Sequence, residues 1–309
     1  KCSHYLEKKK HLTAQENQMI KEGKTSCFKL HYQYRVWNYN PSELELKRPK
    51  DSGVVDIRKI HNDTRSFSLI LTFAICFGLS ARSTKGVLKH VFGISVSHQT
   101  VINYINAAAY HLYRFIDNNC PRPQGKMAAD ETYISVNGKW HYTWFGIDSK
   151  THAICSFNLS DNRGMEPALA FLYKAFGKPE DNIGKSYDIV TDGNPSYGCA
   201  IQAYNQSLES PSIRGFKVIG LQNLDEESKE YRPFKQLVER LNRTYKFHTR
   251  PRTGFKSLEG ATALTVLFVG FYNFMRPHSY SKGNPPLQIE RLKGIDSFVD
   301  MWSSMIKAA

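Results

Sequence analysis

The sequence predicts an α/β protein in which a mixed five-stranded sheet flanked by helices follows a helical region. Two observations lead to this prediction. Between residues 126 and 247 the apolar pattern alternates between strand-like and helix-like periods, in the order strand, strand, strand, helix, strand, helix, strand, helix. The stretch NNCPRPQGK at 118–126 is rich in proline, asparagine and glycine, and it separates this part from residues 64–116, whose pattern is helical.

Composition favours a basic, intracellular protein. The chain has 309 residues with 42 Lys and Arg against 28 Asp and Glu, a formal net charge of +14. Such a surplus attracts polyanions, nucleic acid above all, although a basic protein can also be merely soluble. The most apolar run, FSLILTFAICFGL at 67–79, is too short for a membrane span and predicts a buried helix.

The cysteines and the first residues support the same expectation. The six cysteines form no C-x-x-C pair, which fits a reducing cytosol better than a disulfide framework. The first residues are basic but have no apolar signal region, so we expect a cytoplasmic protein without a membrane partner. Cys2, His4 and His11 are poorly spaced for a metal site.

The chain divides into four predicted regions. Residues 1–60 form a basic N-terminal region, with a short strand in KLHYQYRVWNYN and a linker in KRPKDSG at 47–53. The other regions are a helical region at 61–119, a catalytic domain at 120–287 and a C-terminal helix or tail at 288–309.

The second region has the pattern of a helix-turn-helix. A helix over about Ser80–Val91 precedes a glycine turn, FGIS, after which Ser97 is placed to cap a second helix. The start of a recognition helix usually meets base edges, although an ordinary helical hairpin has the same pattern. The residues that we predict to read DNA bases there are His98, Gln99 and Thr100.

The third region accounts for the sheet. Asn-Gly at 137–138 is a strong hairpin signal between the first two strands. The predicted strands are 128–136, 140–147, 152–159, SYDIVTD at 186–192 and FKVIG at 216–220. The predicted helices are 166–176, preceded by Asp161 and Asn162 as caps, 195–206, 232–247 and an apolar helix that begins near Leu258 and ends in FYNFMRPH. This order of elements is that of an RNase H-like core.

The stretch VTDGNPSY at 190–197 places Asp192 where a buried strand ends. Asp, Gly, Asn and Pro all favour turns, so turn chemistry alone accounts for this composition. Strand ends are also where α/β proteins present catalytic groups. Asp130 lies in the first strand, which runs beside the fourth in this topology, and Glu239 lies in the last long helix.

Three carboxylates converging at one sheet edge predict a metal site. Clustered carboxylates raise one another's pKa unless a cation neutralises them, and oxygen-only ligands suit Mg²⁺ or Mn²⁺. Two such ions about 3.5–4 Å apart activate an attacking oxygen and stabilise a leaving oxygen of a phosphodiester. The predicted catalytic and metal-binding residues are Asp130, Asp192 and Glu239.

Each of these assignments has an alternative. Glu131 rivals Asp130, and strand alternation puts the two on opposite faces, so we expect only one to point at the metals. Glu239 could be a surface acid paired with Arg243, although its apolar neighbours indicate a partly buried helix. Asp148 and Asp188 fit a turn and a strand entry better than a metal site.

The segment 243–256 predicts a path for DNA. Guanidinium groups clamp phosphates and aromatic rings stack on unpaired bases, although a solvated basic face has the same composition. Arg276 and His278 either approach the active site or cap their helix. The predicted DNA-binding residues of the segment are Arg243, Lys246, Arg250, Arg252 and Lys256, interleaved with Tyr245, Phe247, His248 and Phe255.

Four blocks resemble the core of prokaryotic insertion-sequence DDE transposases, which are related to retroviral integrases. They are ADETYISVNGKWHYTWFGID, VTDGNPSY, VERLNRTYKFHTRPRTGFKS and YNFMRPHS, within about residues 126–287. The resemblance places the family's acidic triad on Asp130, Asp192 and Glu239. The interval between the last two acids is longer than in compact members, with an extra polar piece at 224–233, and the family's frequent N-terminal zinc ribbon is not intact.

The resemblance also implies an activity and its partners. It implies metal-dependent cleavage of double-stranded DNA at element ends and strand transfer into target DNA, by a homodimer or higher multimer associated with the nucleoid. A catalytically inactive, transposase-derived DNA-binding protein and another RNase H-like nuclease are the alternatives.

Overall fold

The computed structural model describes residues 13–22, 46, 57, 62–206, 208–218 and 226–307. The helices are α1 (Ala14–Lys21), α2 (Thr64–Leu71), α3 (Ala81–Phe92), α4 (His98–Asn118), α5 (Met165–Phe176), α6 (Pro195–Asn205), α7 (Glu226–Thr249), α8 (Leu258–Phe274) and α9 (Phe298–Ile306). The strands are β1 (Lys126–Val136), β2 (Lys139–Asp148), β3 (Ile154–Ser160), β4 (Tyr187–Thr191) and β5 (Ile213–Lys217). A π-helix, Thr72–Cys76, continues α2, and 3₁₀ turns occupy Pro179–Asn182, Arg250–Arg252 and Glu290–Leu292. The predicted strand at 29–40, the predicted linker and the Cys2, His4 and His11 group lie outside the described residues.

The sheet has the strand order β3-β2-β1-β4-β5. β1 pairs antiparallel with β2, and β2 pairs antiparallel with β3. β4 runs parallel to both β1 and β5. The predicted mixed five-stranded, RNase H-like sheet is therefore confirmed, including the adjacency of the first and fourth strands.

Two predicted boundaries were wrong. β5 begins three residues before the predicted strand, because the segment Ile213–Lys217 is an edge strand whose exposed Arg214 and Gly215 hide the apolar pattern. α7 begins at Glu226, so most of the polar piece at 224–233 is helical. Its Pro233 does not end the helix, although proline inside a helix removes one backbone hydrogen bond.

The sheet is covered on both faces. Alternate residues of β1 supply the two sides: Ala128 and Ile134 belong to one hydrophobic cluster, and Met127 and Ala129 to the other. The first cluster contains residues of α7 and the largely buried α8. α5 and α6 cover the second face. This two-layer burial fixes the register of β1 and hence the direction of each of its polar side chains.

The N-terminal helices share the core of the sheet. The predicted buried helix at 67–79 is confirmed as α2 and its π-helical continuation. Ile116 of α4 lies against α8, where a Cβ added to Gly270 would come within 2.8 Å of the Ile116 side chain. Trp302 of α9 is fully buried in the same cluster. The predicted boundary at residue 120 therefore separates two segments that contribute to one hydrophobic cluster.

The helix-turn-helix pattern folds as the sequence indicates. The Ser80 hydroxyl accepts a hydrogen bond from the Ser83 amide at 3.1 Å and caps α3, which ends at Gly93 in the left-handed conformation, φ 70°. The Ser97 hydroxyl accepts from the Thr100 amide at 2.9 Å and caps α4. His98 and Gln99 are exposed at the start of that helix. The helices also bear on membrane insertion: among the described residues, no helix is both long enough and apolar enough to cross a membrane.

Candidate active site

Asp192 lies immediately after β4, at the carboxyl end of the strand. Its Oδ1 accepts a hydrogen bond from the Asn194 backbone amide at 3.0 Å, and the Asn194 side chain caps α6. Gly193 between them has φ 93°, and a Cβ there would collide with the Lys217 side chain. The turn chemistry of this stretch and the placement of an acid at the strand end are therefore both present.

The register of the sheet sets Asp130 beside Asp192. β1 and β4 pair Lys126 with Asp188 and Ala128 with Val190, so continuing by two residues brings Asp130 opposite Asp192. Carboxylate oxygens of Asp130, Glu131 and Asp192 all lie within 4.8 Å of one another. The sheet therefore brings together two of the three predicted acids, Asp130 and Asp192, and Glu131, the rival of Asp130, is the third member of the cluster.

The environment of Asp130 disfavours its negative charge. Burial raises the pKa of this carboxyl from 3.8 to about 7, and the charges of Asp192 and Glu131 add to the rise. The Glu131 backbone amide and the Lys235 charge act in the opposite direction. Repulsion between clustered carboxylates is what a bound cation relieves.

Glu131 reaches the cluster from the other face of the strand. Asp130 Oδ2 accepts from Asn242 Nδ2 of α7 at 2.9 Å, whereas Glu131 Oε1 accepts from Asn194 Nδ2 at 2.6 Å and from Arg163. Strand alternation therefore puts the two side chains on opposite faces as expected, but both carboxylates reach the same cluster. The cluster lies beside the edge of β1, beyond the end of β4, so carboxylates from both faces reach it.

Glu239 lies on α7, the helix that supplies Asn242, but its carboxylate is outside the cluster. It lies three residues before Asn242, a spacing that places two side chains on one helix face. Its side chain is 50% exposed, and its Oε1 is 3.8 Å from Lys235 Nζ. Leu237, Val238 and Leu241 are buried, so the helix is amphipathic as predicted.

The donor set fits a hard divalent cation. Every side chain of the cluster offers carboxylate oxygen, the ligand that Mg²⁺ and Mn²⁺ prefer. Glu131 Oε2 is buried and has no hydrogen-bond partner among the described residues. Since an unsatisfied buried acceptor is costly, a cation or its bound water would satisfy this oxygen.

The predicted basic segment is only partly a surface. Arg243, Arg250 and Lys256 are exposed, and the Lys246 ammonium lies 4.4 Å from the centroid of the Tyr133 ring. Arg252 instead points inward, where it donates to the backbone carbonyls of His248 and Ala74, and burial lowers its pKa to about 10. The structure therefore does not place Arg252 on the predicted DNA path.

The interleaved aromatic residues also differ in exposure. Tyr245 and His248 are buried, whereas 62% of Phe247 is exposed. A stacking role suits only the exposed ring. Tyr245 instead stabilises the core, where its hydroxyl hydrogen-bonds with the Thr265 hydroxyl at 2.8 Å.

Arg276 and His278 contact one another at the end of α8. Arg276 Nη1 lies 3.3 Å from His278 Nε2, and the Arg276 amide donates to the Phe271 carbonyl. Burial, followed by the Arg276 charge, lowers the His278 pKa to about 4. None of their described contacts joins them to the carboxylate cluster, which favours the capping alternative.

The remaining acids have structural partners. Asp148 is buried and accepts from the backbone amides of Gln124, Lys150 and Thr151, which confirms its assignment to a turn. Asp188 pairs with Arg214 at 2.7 Å.

Sequence reasoning placed Glu131 second to Asp130, and it missed Asn242, Lys235 and Arg163. The adjacency of Glu131 to Asp130 was a visible signal, but alternation led us to discount it. Asn242 lies three residues after Glu239, and this spacing was a signal that could have marked it. Lys235 and Arg163 depend on tertiary proximity that no local pattern records.

Comparison with known proteins bears on this geometry. Residues 125–268 match a family described as a DDE domain. A transposase for insertion sequence-like element IS431mec from Staphylococcus aureus is 32% identical over 123 residues, covering 39% of this chain and 51% of the relative. A Staphylococcus aureus transposase for insertion sequence element IS257 in transposon Tn4003 matches with the same figures.

The resemblance of these residues to insertion-sequence DDE transposases is thus confirmed. The matching region spans about half, 51%, of the length of the curated relatives. Among solved structures, the HTLV-2 integrase catalytic core domain in complex with magnesium also matches this chain. This match has a TM-score of 0.34 and 18% identity, and it covers 53% of this chain and 95% of that chain. The piggyBac transposase synaptic complex with hairpin DNA has a TM-score of 0.42 and 10% identity, covering 81% of this chain and 73% of that chain.

Proposed function

We propose that this protein is a transposase that cleaves DNA at the ends of an insertion sequence and joins those ends to target DNA. The observation that carries the proposal is that the carboxylates of Asp130, within β1, and Asp192, directly after β4, lie together in the segment that matches the DDE family. The similarity to two insertion-sequence transposases supports the same activity.

We assign the metal site to Asp130, Asp192 and Glu239, with Mg²⁺ or Mn²⁺ as two ions. Asp130 and Asp192 supply adjacent carboxylates, and Glu239 lies on the helix that carries Asn242, the partner of Asp130. Bound ions of this kind activate the attacking oxygen and stabilise the leaving oxygen of a phosphodiester.

The chain's own residues orient the acids. Asn242 Nδ2 holds one oxygen of Asp130, and the Asn194 backbone amide holds one oxygen of Asp192. Asp130 is also held within β1, and Asp192 directly follows β4, so both acids are positioned before DNA binds. Such preorganisation is how a site lowers a barrier without forming new contacts during the reaction.

The proposed reaction has two phosphoryl transfers. Water attacks the phosphodiester at the element end, and the bond to the 3′-oxygen breaks to leave a free 3′-OH and a 5′-phosphate. That 3′-OH then attacks a phosphodiester of target DNA, forming a new bond as the target's own 3′-oxygen leaves. No covalent enzyme intermediate is required.

The DNA path is assigned to α7 and the segment that follows it. Arg243 lies four residues after Glu239, on the same helix face, so the exposed cations begin beside the proposed scissile phosphate. The path continues through Lys246, Arg250 and Lys256. His98, Gln99 and Thr100 at the start of α4 are assigned to reading the bases of the element ends.

The assembly and location follow from this activity. Double-stranded DNA, as terminal repeats and as target, is the proposed partner of a homodimer or higher multimer. Joining two element ends to one target requires both ends to be held together. The enzyme would work where bacterial DNA lies, in the cytoplasm at the nucleoid.

A cleavage and strand-transfer assay with DNA that flanks the gene tests the proposal. We expect Mg²⁺-dependent products, and we expect Asp130→Asn, Asp192→Asn and Glu239→Gln to reduce both steps. The loss should exceed the roughly 10–100-fold that changes to outer-shell partners cost. Glu226→Gln is the matched control for Glu239, because it removes another exposed α7 acid paired with a lysine, Lys229.

The assay also distinguishes the alternatives. Cleavage without joining would identify another nuclease with this fold, and DNA binding without either step would identify an inactive derivative. Full activity of Glu239→Gln, with loss in the two aspartate variants, would remove Glu239 from the metal site.

A further inference from the structure

The outer half of the β1–β2 hairpin presents two aromatic rings to solvent. β1 pairs with β4 only as far as Ala128, whereas its pairing with β2 continues to Val136. On this projecting part Tyr133 is 55% exposed and Trp140 is 60% exposed. Their ring centroids are 5.0 Å apart, and the rings are inclined by 82°. We call this pair of rings the hairpin platform.

Cations border the hairpin platform. The Lys246 ammonium lies 4.4 Å from the centroid of the Tyr133 ring, and Arg250, four residues later, is exposed. These residues line a cavity of about 210 Å³ together with Tyr133 and Trp140. Since small-molecule sites usually occupy about 300–1,000 Å³, this cavity suits a flat ring at its mouth better than a whole ligand.

The platform is held in a fixed position against the segment after α7. The Phe255 amide donates to the Ser135 carbonyl at 2.8 Å, and the Asn137 amide donates to the Phe255 carbonyl at 2.7 Å. Gly254, with φ 106°, allows this close approach, because a Cβ there would lie 3.3 Å from the Ser135 carbonyl oxygen. The exposed rings therefore belong to a braced hairpin.

Both the strand and the helix lead from the carboxylates to the platform. Tyr133 follows Asp130 by three residues, or about 10 Å along an extended strand. Lys246 follows Asn242, the hydrogen-bond partner of Asp130, by one helical turn. A distance of about 10 Å matches roughly three nucleotides stacked at about 3.4 Å.

We propose that the hairpin platform binds unpaired DNA bases within about three nucleotides of the phosphate held at the carboxylates. This proposal rests on the proposed function. Aromatic rings beside cations are how proteins hold unpaired bases without reading their sequence, since every base has a face on which to stack. The net charge of +14 and the neighbouring Lys246 and Arg250 favour a polyanion over a second copy of this basic chain.

The test compares overhangs with and without bases. Duplexes carry a single-stranded overhang of about three nucleotides, either normal or abasic, and binding to the full chain is measured with Ca²⁺ in place of Mg²⁺. We expect Trp140→Ala to lose at least about 5-fold in affinity for the normal overhang, the lower end of the effect of one stacked base. Affinity for the abasic overhang and for blunt duplex should not change.

Two control variants sharpen the comparison. Trp140→Phe keeps a stacking ring and should retain most of the preference for bases. Tyr280→Ala removes another exposed ring, 61% exposed, which stacks on His152 away from the hairpin, and it should behave as wild type. A 2-aminopurine in the overhang should be quenched by wild type and not by Trp140→Ala.

The outcomes separate this proposal from the proposed function. If wild type cleaves and joins DNA but binds normal and abasic overhangs equally, the platform proposal fails alone. If Trp140→Ala loses the same affinity for normal and abasic overhangs, the platform proposal also fails. It fails too if Trp140→Ala changes only the sedimentation of the DNA-free protein, because that result would identify an interface between copies of the chain. If wild type binds no DNA at all, both proposals fail.

Discussion

At the scale of single residues, Asp130 links pH to metal binding. Its pKa of about 7 lies above the ordinary 3.8, so in the absence of metal its contribution to folding stability is full below pH 3.8 and is lost as pH rises to about 7. Protons and cations compete for the same carboxyl. We therefore expect Mg²⁺ to raise the unfolding temperature more at about pH 8 than at about pH 5.

Thermal unfolding with and without Mg²⁺ at the two pH values measures this effect. Asp130→Asn should abolish the difference between them, since the amide does not titrate. An equal pH dependence of the Mg²⁺ effect in wild type and in Asp130→Asn would show that another group controls it.

Glu131 connects the two aspartates. Its backbone amide donates to Asp130 Oδ1 at 2.9 Å, and its carboxylate accepts from Asn194, whose own amide donates to Asp192 Oδ1 at 3.0 Å. We expect Glu131→Gln to weaken metal affinity about 10–100-fold, as loss of an orienting partner typically does. Mn²⁺ titration measures it, and activity should recover at high metal concentration.

An exposed acid gives the control for this change. Glu166→Gln, at the start of α5, should bind Mn²⁺ as wild type does. Unchanged Mn²⁺ affinity in Glu131→Gln would show that the contacts of Glu131 with Arg163 and Asn194 do not affect metal binding.

Prediction from sequence succeeded for those residues whose position follows from the order and pairing of the strands. Asp130 lies within β1 and Asp192 directly follows β4, and both strands have clear apolar patterns, so the adjacency of these strands brings the two acids together. Glu131 was discounted because alternation describes the faces of a sheet, whereas the cluster lies beside its edge. Arg252 was assigned to the surface because nothing local reveals that the Ala74 and His248 carbonyls take up its guanidinium.

At the scale of elements, the start of α4 should discriminate between DNA sequences. Changing His98, Gln99 and Thr100 to alanine should lower the preference for element ends over random duplex, since each base contact contributes about 1–3 kcal/mol. Competition binding measures the preference. Asn118→Ala, exposed at the other end of the helix, is the control, and equal loss on both DNAs would make the helix a phosphate contact.

The basic segment after Glu239 should instead determine how strongly DNA binding depends on salt concentration. Alanine at Arg243, Arg250 and Lys256 together should flatten the slope of log K against log salt by roughly two to three units, about 0.9 for each lost phosphate contact. Arg252→Ala supplies the contrast, because its guanidinium bonds to the Ala74 and His248 carbonyls, so the change should affect stability and leave the slope unchanged. A wild-type slope in the triple variant would show that the DNA path lies elsewhere.

Elements were predictable where local chemistry is strong. Alternation and Asn-Gly located the first hairpin, and Ser97 located the start of α4. β5 was misplaced because an edge strand has little apolar pattern of its own. α7 was predicted to begin too late because Pro233 and the polar residues before it are typical of a loop.

At the scale of the whole molecule, the order of elements predicted the sheet but not the shared core. Ile116 of α4, Phe268 of α8 and Trp302 of α9 are buried in one hydrophobic cluster that also contains β1 residues. Composition shifts such as NNCPRPQGK record where the chain turns, and they carry no information on which helices pack together afterwards. Whether the segments before and after residue 120 unfold together or separately therefore has to be measured.

We expect the described helices and the sheet to unfold as one unit. Ile116→Ala removes a fully buried side chain that packs against Gly270, and it should cost about 2–5 kcal/mol in the free energy of unfolding. Calorimetry of the full chain should show the main transition moving as a whole, with Mg²⁺ binding at the carboxylates lost in the same transition. Ile183→Ala, at a position that is 73% exposed, is the control and should leave the unfolding temperature unchanged. Two separate transitions, of which only the one without Mg²⁺ dependence responds to Ile116→Ala, would show that the N-terminal helices and the sheet fold independently.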